Sequence, residues 1–513
     1  MNQLFDAINN VFRFVTPVSD FFWDFPTNLD WYAAIPILGN FSLAVLLLVG
    51  SGIFFTFKTG FIQVTHFTKG IRILAKKKSD ETGISSLAAF LLSSAMRVGP
   101  GNILGVTGAI SVGGPGALFW MWISAFFGMS TAYTEAVLAQ IFKEKKENEF
   151  VGGLPFYGKR LLKNSLVAGI ALSVMFIVYA VCCLPAQGFN VVSSALQMIT
   201  IVSGTSIEST SGISYLTAAL LILFTGFIAF GGIRKVTKVT DLLVPVMAVV
   251  YILTVLMLIV FNLSSLPYFF SAVFGGAFRM EAIFGGTLGT IISQGVKRGL
   301  MSNEAGQGTI TMAAGAANND HPCEQGIVQS VGVFLDTIVI CTLTGFVVIM
   351  AHVWTTPQSE AWFALDRLPR FLESAEVLSP SSGAFPIVSF LLTLCFCLFA
   401  FTTLIGMISF SEIAANRISQ NRGFITFVRL LGVFITAFGV LCSMAGLNLG
   451  NLWAISDLGN ILIVFANIPL LYLGSAYVFK ATKHYKKDDQ TPFTSEIIGT
   501  QCQYWDERAN SKK

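Results

Sequence analysis

The sequence predicts an all-α polytopic membrane protein, and its composition and its apolar segments lead to that class. Of its 513 residues, 54% are hydrophobic and only 12% are charged, and the mean hydropathy is +0.71. A soluble globular domain carries about twice that share of charged residues. Apolar segments near the roughly 20 residues that cross a bilayer as a helix recur along the whole chain. The net charge of +4 does not indicate nucleic-acid binding, because the basic residues lie in short loops between apolar segments.

Eleven segments have the length and hydropathy of transmembrane helices, and their approximate bounds are 35–56, 84–112, 116–142, 166–186, 213–231, 240–261, 281–300, 326–350, 384–410, 424–444 and 453–478. The segment 188–202 is apolar but short, and it either extends the fourth span or lies at the surface. Segment 1–34 is predicted to be an extracytoplasmic interfacial amphipathic segment, because apolar residues at helical spacing precede a group of aromatic residues. Segment 479–513 is predicted to be a cytoplasmic tail.

The positions of lysine and arginine predict the orientation. Most of the 32 basic residues lie after odd-numbered spans, as in the loops that contain Lys76, Lys145 and Arg234. Because cytoplasmic loops carry the excess of basic residues, the N-terminus is predicted to lie outside and the C-terminus inside. The predicted location is the cytoplasmic (inner) membrane, crossed several times.

Glycine and proline interrupt the second span at Gly99-Pro100-Gly101, inside the segment Ser93–Gly116. Both residue types lower the cost of leaving helical geometry, and proline also removes a backbone donor. Non-helical backbone within a bilayer persists only where protein buries it or where it lines a watery cavity. This stretch is therefore either a kinked helix with small residues for packing or an ion and solute site.

A second glycine-rich stretch, Gly285–Gly289, is predicted to break the seventh span. With the first span (35–56) set aside as an extra helix, the remaining ten divide into two halves of five, residues 84–261 and 281–478. Each half then begins with a broken helix. Since five is odd, the halves enter the membrane from opposite sides, which is the inverted repeat linked to midplane binding sites in secondary transporters. This pairing favours the site over the kinked helix.

Catalytic patterns do not stand out. The chain has no zinc-binding HExxH pattern and no GxxxxGK[ST] phosphate-binding loop, so gradient-driven transport is favoured over ATP hydrolysis or enzyme chemistry. Most of its eight cysteines lie in apolar segments without metal-ligand spacing, which indicates buried small hydrophobic residues. No cofactor, no nucleic acid and no obligate protein partner are indicated.

Asn102 and Arg97 flank the break in the second span. The carboxamide oxygen of Asn102 is a ligand suited to a hard cation, although the side chain could equally satisfy the broken backbone. Arg97 is an ionisable residue inside a span, which suggests a function. It contacts substrate or pairs with an acid such as Asp336 or Glu135, and a structural or gating ion pair is the favoured interpretation.

Further polar side chains lie in the fourth and ninth spans. Gln187 could accept from a substrate ammonium group or form an interhelical hydrogen bond. Thr402 and Thr403 could bind a cation or could bond to the carbonyls of their own helix. The stretch Met301–Gly308, which reads MSNEAGQG, is interpreted as a helix cap or turn on the cytoplasmic side, suited to a gate or a packed loop.

Three sequence blocks resemble the alanine or glycine:cation symporter family. They are RVGPGNILGVTGAISVGGPGALFWMW (97–122), GGIRKVTK (231–238) and GLMSNEAGQGTITMAA (299–314). Their order and spacing also fit, and the resemblance covers nearly all of residues 35–480. It implies a LeuT-like fold of 11 transmembrane helices, a 5+5 inverted repeat preceded by one extra helix. It also implies sodium-coupled uptake of small neutral amino acids, chiefly alanine and glycine, with Na⁺ as the coupling ion.

The resemblance also implies a set of binding residues. Carried over by position, the substrate contacts are Gly99, Gly101, Asn102, Gln187, Phe284, Gly285, Gly286 and Thr403. By analogy with the wider LeuT-like fold, the sodium ligands are sought at Ala95, Val98 and Thr402.

Two departures from the family pattern bear on the substrate. Pro100 stands where the family usually has threonine, so one backbone N–H that could contact a carboxylate is missing. Met407 stands where a tryptophan is common, which changes the shape of the pocket. The predicted substrate class is therefore a small neutral amino acid, with a larger one such as glutamine as an alternative. A proton-coupled carrier, a solute channel and a non-transporting sensor of amino acids remain further alternatives.

Overall fold

The computed structural model describes residues 2–35, 38–76, 82–146, 149–278, 287–355, 359–447, 449–487 and 491–511. These parts are almost entirely helical. In the first half the α-helices are α1 Asn2–Asp24, α2 Asp30–Ala33, α3 Leu43–Thr59, α4 Ile62–Thr65, α5 Phe67–Leu74, α6 Ser86–Arg97, α7 Val106–Gly113, α8 Gly116–Ile141, α9 Leu154–Leu161, α10 Leu166–Ser203, α11 Gly212–Ala229, α12 Gly232–Phe261 and α13 Leu266–Ala277.

In the second half the α-helices are α14 Thr287–Asn303, α15 Thr311–Ala316, α16 Pro322–Val333, α17 Thr342–Met350, α18 Ser359–Ala364, α19 Arg367–Leu378, α20 Phe385–Ile418, α21 Arg422–Met444, α22 Leu449–Lys487, α23 Ser495–Ile498 and α24 Gln503–Ser511. Wider π-turns at Gly101–Gly105 and Phe334–Cys341 continue into α7 and α17, and short 3₁₀ turns lie at Leu38–Asn40, Leu263–Ser265 and Val353–Thr355. One antiparallel hairpin pairs β1 (Glu144–Lys146) with β2 (Glu149–Val151).

Seven helical segments in the described residues are long and apolar enough to cross a membrane, and the bent pair formed by α6 and Gly101–Gly113 makes an eighth. The protein is therefore a multi-pass membrane protein. The short apolar segment 188–202 extends the fourth span, because α10 runs without interruption from Leu166 to Ser203. Close packing of α10 on α21 requires glycine at Gly439, where an added Cβ would lie 2.1 Å from the carbonyl oxygen of Pro185.

The second span is broken where the sequence predicted it. The axes of α6 and of Gly101–Gly113 differ by 48°, and the break lies between Arg97 and Gly101. Asn102 and its helical neighbours Gly101 and Ile103 are fully buried. The interruption therefore lies in the protein interior, as the site interpretation requires.

The predicted break at Gly285–Gly289 is wrong in its described part, because Thr287–Asn303 is one continuous helix. Gly289 is needed there for close packing: an added Cβ would lie 2.9 Å from the carbonyl oxygen of Asn40. Glycine tolerates a helix as well as a break, and tertiary contacts decide between them.

The interruption of the seventh segment lies instead between α14 and α15. Glu304 has φ +57°, Gly306 has φ +94° and Gly308 has φ +76°, and three left-handed residues end a right-handed helix. The stretch Met301–Gly308 was predicted to be a turn at the cytoplasmic end, but it lies inside the protein beside the first break. An added Cβ on Gly101 would lie 3.3 Å from the carbonyl oxygen of Met301.

Both ends of the chain pack on the helical core. α1 packs on α22, and the indole nitrogen of Trp23 donates to the carbonyl oxygen of Asp457 at 2.9 Å. At the other end, the indole nitrogen of Trp505 donates to the carbonyl oxygen of Gln140 at 2.8 Å. Whether α1 also lies in the membrane interface stays a prediction.

Candidate functional site

The two breaks face each other across a cavity of about 40 Å³. This volume is close to that of one water molecule in the liquid. An amino acid is larger, so its binding requires the lining side chains to move apart. The cavity is lined by the first break, the second break, α10, α20 and α22, through Met96, Arg97, Gly99, Pro100, Gly101, Met301, Glu304, Tyr179, Cys183, Gln187, Thr403, Met407, Trp453, Ser456 and Asn460.

Five of the predicted substrate residues line this cavity: Gly99, Gly101, Gln187, Thr403 and Met407. The structure therefore brings together residues that are far apart in the sequence. Phe284, Gly285 and Gly286 lie outside the described residues.

Asn102 does not line the cavity, and its side chain instead forms hydrogen bonds that stabilise the first break. Its Oδ1 accepts from the backbone N–H of Gly99 at 2.8 Å. Its Nδ2 donates to Asp336 Oδ1 at 2.6 Å and to Ser302 Oγ at 3.0 Å. Asn102 thus joins the first break to the second and to the π-turn in the following span.

The residues predicted as sodium ligands are only partly brought together. Thr403, rather than Thr402, reaches the first break: its Oγ1 donates to the carbonyl oxygen of Ala95 at 3.0 Å. Thr402 Oγ1 donates to the carbonyl oxygen of Leu398 at 2.9 Å, within its own helix. Val98, the third predicted ligand residue, is buried at the break.

The backbone donors of the first break are mostly occupied. The N–H of Gly99 is bonded by Asn102, and Pro100 has none. The N–H of Gly101, the first residue of its π-turn, donates to no other group in the described chain. Gly101 therefore offers the cavity an unoccupied donor at the start of a helix, where an anion is stabilised.

Arg97 is fully buried and is held by neutral partners. Its Nε donates to the carbonyl oxygen of Asn303 at 2.9 Å, and its Nη1 donates to Gln329 Oε1 at 2.8 Å. Within the described residues it forms no ion pair with Asp336 or Glu135, so the expected salt bridge is not made. Arg97 instead links the first break to the end of α14, and its charge still attracts the acids around it.

Glu304 is a functional candidate that sequence reasoning missed. It lies in the second break, it is 4% exposed, and it belongs to the residues that line the cavity. The residue lies within the block that carries the family resemblance, but the sequence interpretation of Met301–Gly308 is a helix cap or turn on the cytoplasmic side, suited to a gate or a packed loop. An acid beside the two glycines of that turn was the available signal.

A larger cavity of about 1110 Å³ adjoins the small one on the side of α19. Trp453 lines both cavities and is 7% exposed. The larger cavity also contains Arg367, whose pKa burial lowers to about 10, with further lowering by the nearby charge of Arg298. Arg298 Nη1 in turn lies 3.3 Å from Asp457 Oδ2, an ion pair that ties α14 to α22.

Comparison with known proteins identifies the family of this chain. A model of the sodium:alanine symporter family matches residues 31–497. The sodium/alanine symporter AgcS of Methanococcus maripaludis is 34% identical, over 86% of this chain and 94% of that protein. The probable sodium/glutamine symporter GlnT of Bacillus subtilis is 35% identical, over 90% of this chain and 93% of that protein.

The fold also has a solved counterpart. The crystal structure of MhsT in complex with L-phenylalanine superposes with a TM-score of 0.58 at 13% identity, covering 82% of this chain and 96% of MhsT. MhsT has the LeuT fold, so the expected fold is confirmed at this level. With a family match over most of its length, the chain belongs to the sodium:alanine symporter family, and it is a transporter and not an enzyme.

Proposed function

We propose that this protein imports small neutral amino acids, alanine and glycine, together with Na⁺ by alternating access. The observation that carries the proposal is the pair of helix breaks that face one cavity, because broken helices at mid-depth form the binding sites of secondary transporters. The unoccupied backbone donor of the cavity at Gly101 suits a substrate carboxylate.

The proposed orientation places the N-terminus outside and the C-terminus in the cytoplasm, in the cytoplasmic membrane. The distribution of lysine and arginine supports it. The proposed architecture is eleven spans, one extra helix (α3) followed by two inverted halves of five. The presence of one break in each half, at Gly99 in the first and at Glu304 after α14 in the second, supports that division.

The proposed sodium site lies at the first break, near the carbonyl oxygens of Ala95 and Val98 and the threonines of α20. Oxygen ligands of this kind suit a hard cation. Sodium bound there would favour the substrate-ready break, so sodium and substrate would raise each other's affinity by the same factor. Thr403→Ala should raise the sodium concentration for half-maximal uptake more than Thr402→Ala does, because only Thr403 contacts Ala95. The reverse order would point to Thr402 as the ligand.

The substrate could also be glutamine, and Met407 is the observation that favours it. Methionine is flexible and fills irregular gaps, whereas the tryptophan common at this position is bulky and rigid. The identities to relatives named for alanine and for glutamine are nearly equal, so overall similarity does not decide. Met407→Trp should reduce competition by glutamine more than competition by glycine. An unchanged competition profile would exclude Met407 from the specificity of the pocket.

Uptake of radiolabelled alanine into proteoliposomes tests the proposed function. Alanine should accumulate when sodium is placed outside and should not accumulate when choline replaces it. Accumulation without sodium would contradict the coupling. Equilibration without accumulation would indicate a channel, and binding without uptake would indicate a sensor.

A further inference from the structure

We infer that Glu304 binds the ammonium group of the transported amino acid, so that the site selects substrates carrying a positive charge as well as a carboxylate. The inference rests on the proposed function, since it concerns the same cavity. It assigns the recognition of the ammonium group to a side-chain carboxylate.

Three buried carboxylates surround the second break, and two of them are satisfied by neutral donors. Glu135 accepts from the backbone N–H of Gly306 at 3.4 Å, from that of Gly308 at 3.0 Å and from Asn467 Nδ2 at 3.0 Å. Each of these bonds fixes the path of the unwound segment. Glu135 does not belong to the wall of the cavity.

Asp336 is satisfied in the same way. Its Oδ1 accepts from Asn102 at 2.6 Å, and its Oδ2 accepts from Ser302 at 2.6 Å and from Thr337 at 2.8 Å. It too lies outside the cavity wall. Glu135 and Asp336 therefore have structural partners that account for them.

Glu304 differs in both respects. One carboxylate oxygen, Oε2, accepts from Thr309 Oγ1 at 2.7 Å, and that is the only hydrogen bond of this side chain in the described chain. No basic side chain of the described residues forms an ion pair with it. Arg97, the charge that attracts it most, donates through Nε to Asn303 and through Nη1 to Gln329, and its buried Nη2 has no partner in the described chain.

A buried carboxylate with one neutral donor is unfavourable unless a cation joins it. Glu304 lines the proposed substrate cavity, so the transported amino acid can supply that cation. A hydrogen bond between a carboxylate and an ammonium group is charge-assisted, and such bonds are stronger than hydrogen bonds between neutral groups. The ammonium group would then hold the left-handed turn at Glu304 in the arrangement that closes the site.

The rest of the cavity complements the other parts of an amino acid. Gln187 Oε1 is buried without a partner in the described chain, and it is a second acceptor for the ammonium group. Gly101 offers the donor for the carboxylate. Two acceptors and one donor in the wall match a zwitterion, whereas a hydroxy acid of the same shape would bring no cation to Glu304.

Lactate tests the inference on the unaltered protein, because it replaces the ammonium group of alanine by a hydroxyl and keeps the rest. In proteoliposomes with an inward sodium gradient, unlabelled alanine should inhibit the uptake of labelled alanine at least a hundredfold better than L-lactate. Inhibition by lactate within a few-fold of that by alanine would overturn the inference while leaving the proposed function intact. Failure of the unaltered protein to transport alanine, glycine or glutamine would instead overturn the proposed function.

Glu304→Gln gives the second test, with Glu304→Asp as the conservative variant and the exposed Glu360→Gln as a matched control. Loss of a charged hydrogen bond should raise the KM for alanine about ten- to a hundredfold in Glu304→Gln. The rise should be smaller in Glu304→Asp, and the KM should be unchanged in Glu360→Gln. Binding of ²²Na⁺ measured without alanine should change little, and that binding also shows that the variant is folded. A KM unchanged in Glu304→Gln, or sodium binding lost while alanine binding persists, would overturn the inference, the latter assigning Glu304 to sodium.

Discussion

The two helix breaks differ in how each is held open. At the first, Gly99 and Pro100 make the helix easy to leave, and the side chain of Asn102 takes up the freed N–H of Gly99. At the second, Glu304, Gly306 and Gly308 adopt left-handed conformations, and a carboxylate from the distant helix α8 takes up the freed N–H groups. The first break is thus encoded locally, whereas the second depends on a tertiary contact.

The largest expected effect tests that dependence. Glu135→Ala leaves two backbone donors and Asn467 without their acceptor, and each buried donor without a partner costs about 1–3 kcal/mol. We expect a loss of unfolding free energy on the order of 3 kcal/mol and loss of alanine uptake. The measurement is the thermal unfolding midpoint in detergent together with uptake.

The exposed Glu360→Ala is the control for this variant and should leave both values unchanged. A Glu135→Ala protein that melts and transports like the unaltered one would mean that the second break holds itself open, and the contrast between the breaks would disappear.

A smaller effect is expected at the first break. In Gly99→Ala the new Cβ would lie 2.7 Å from Thr403 Oγ1, so Thr403 must shift away from Ala95. Overpacking of this kind costs about 1–3 kcal/mol, so we expect roughly a tenfold or greater loss of uptake rate at limiting alanine. Gly50→Ala, where nothing lies within 4 Å of the added Cβ, is the matched control. Normal uptake by Gly99→Ala would show that the first break tolerates a side chain.

The smallest effect is expected from restoring a backbone donor to the first break. Pro100→Thr introduces an N–H where the cavity has few donors, and one hydrogen bond contributes about 1 kcal/mol. The KM for alanine should fall by up to about fivefold. Pro100→Ala should act alike, because it gains the same N–H. A gain in Pro100→Thr alone would assign the effect to the hydroxyl.

The first break is encoded by local residues, which explains why the sequence predicts its position. The second break is not encoded locally, which explains why its predicted position is wrong. Gly99, Pro100 and Gly101 depart from helical propensity within one apolar segment, so composition reveals them. Gly289 carries the same local signal but stays helical, because its missing side chain lets Asn40 approach. No local pattern distinguishes those two uses of glycine.

Glu304 was missed for a related reason. A polar stretch after a span is typical of a loop at the membrane surface, and only the position of Glu135 beneath Gly306 and Gly308 shows that this one is interior. The resemblance identified the cavity residues Gln187, Thr403 and Met407. It did not identify Tyr179 and Cys183 on α10 or Trp453, Ser456 and Asn460 on α22, because no motif marks them. The number of spans and the inverted repeat stay predictions.

Trp453 belongs to the walls of both cavities, and this sets how the site can be reached. It contributes to the wall of the cavity of about 40 Å³ and to the wall of the one of about 1110 Å³. Access from the larger cavity is therefore expected to require the displacement of the Trp453 side chain.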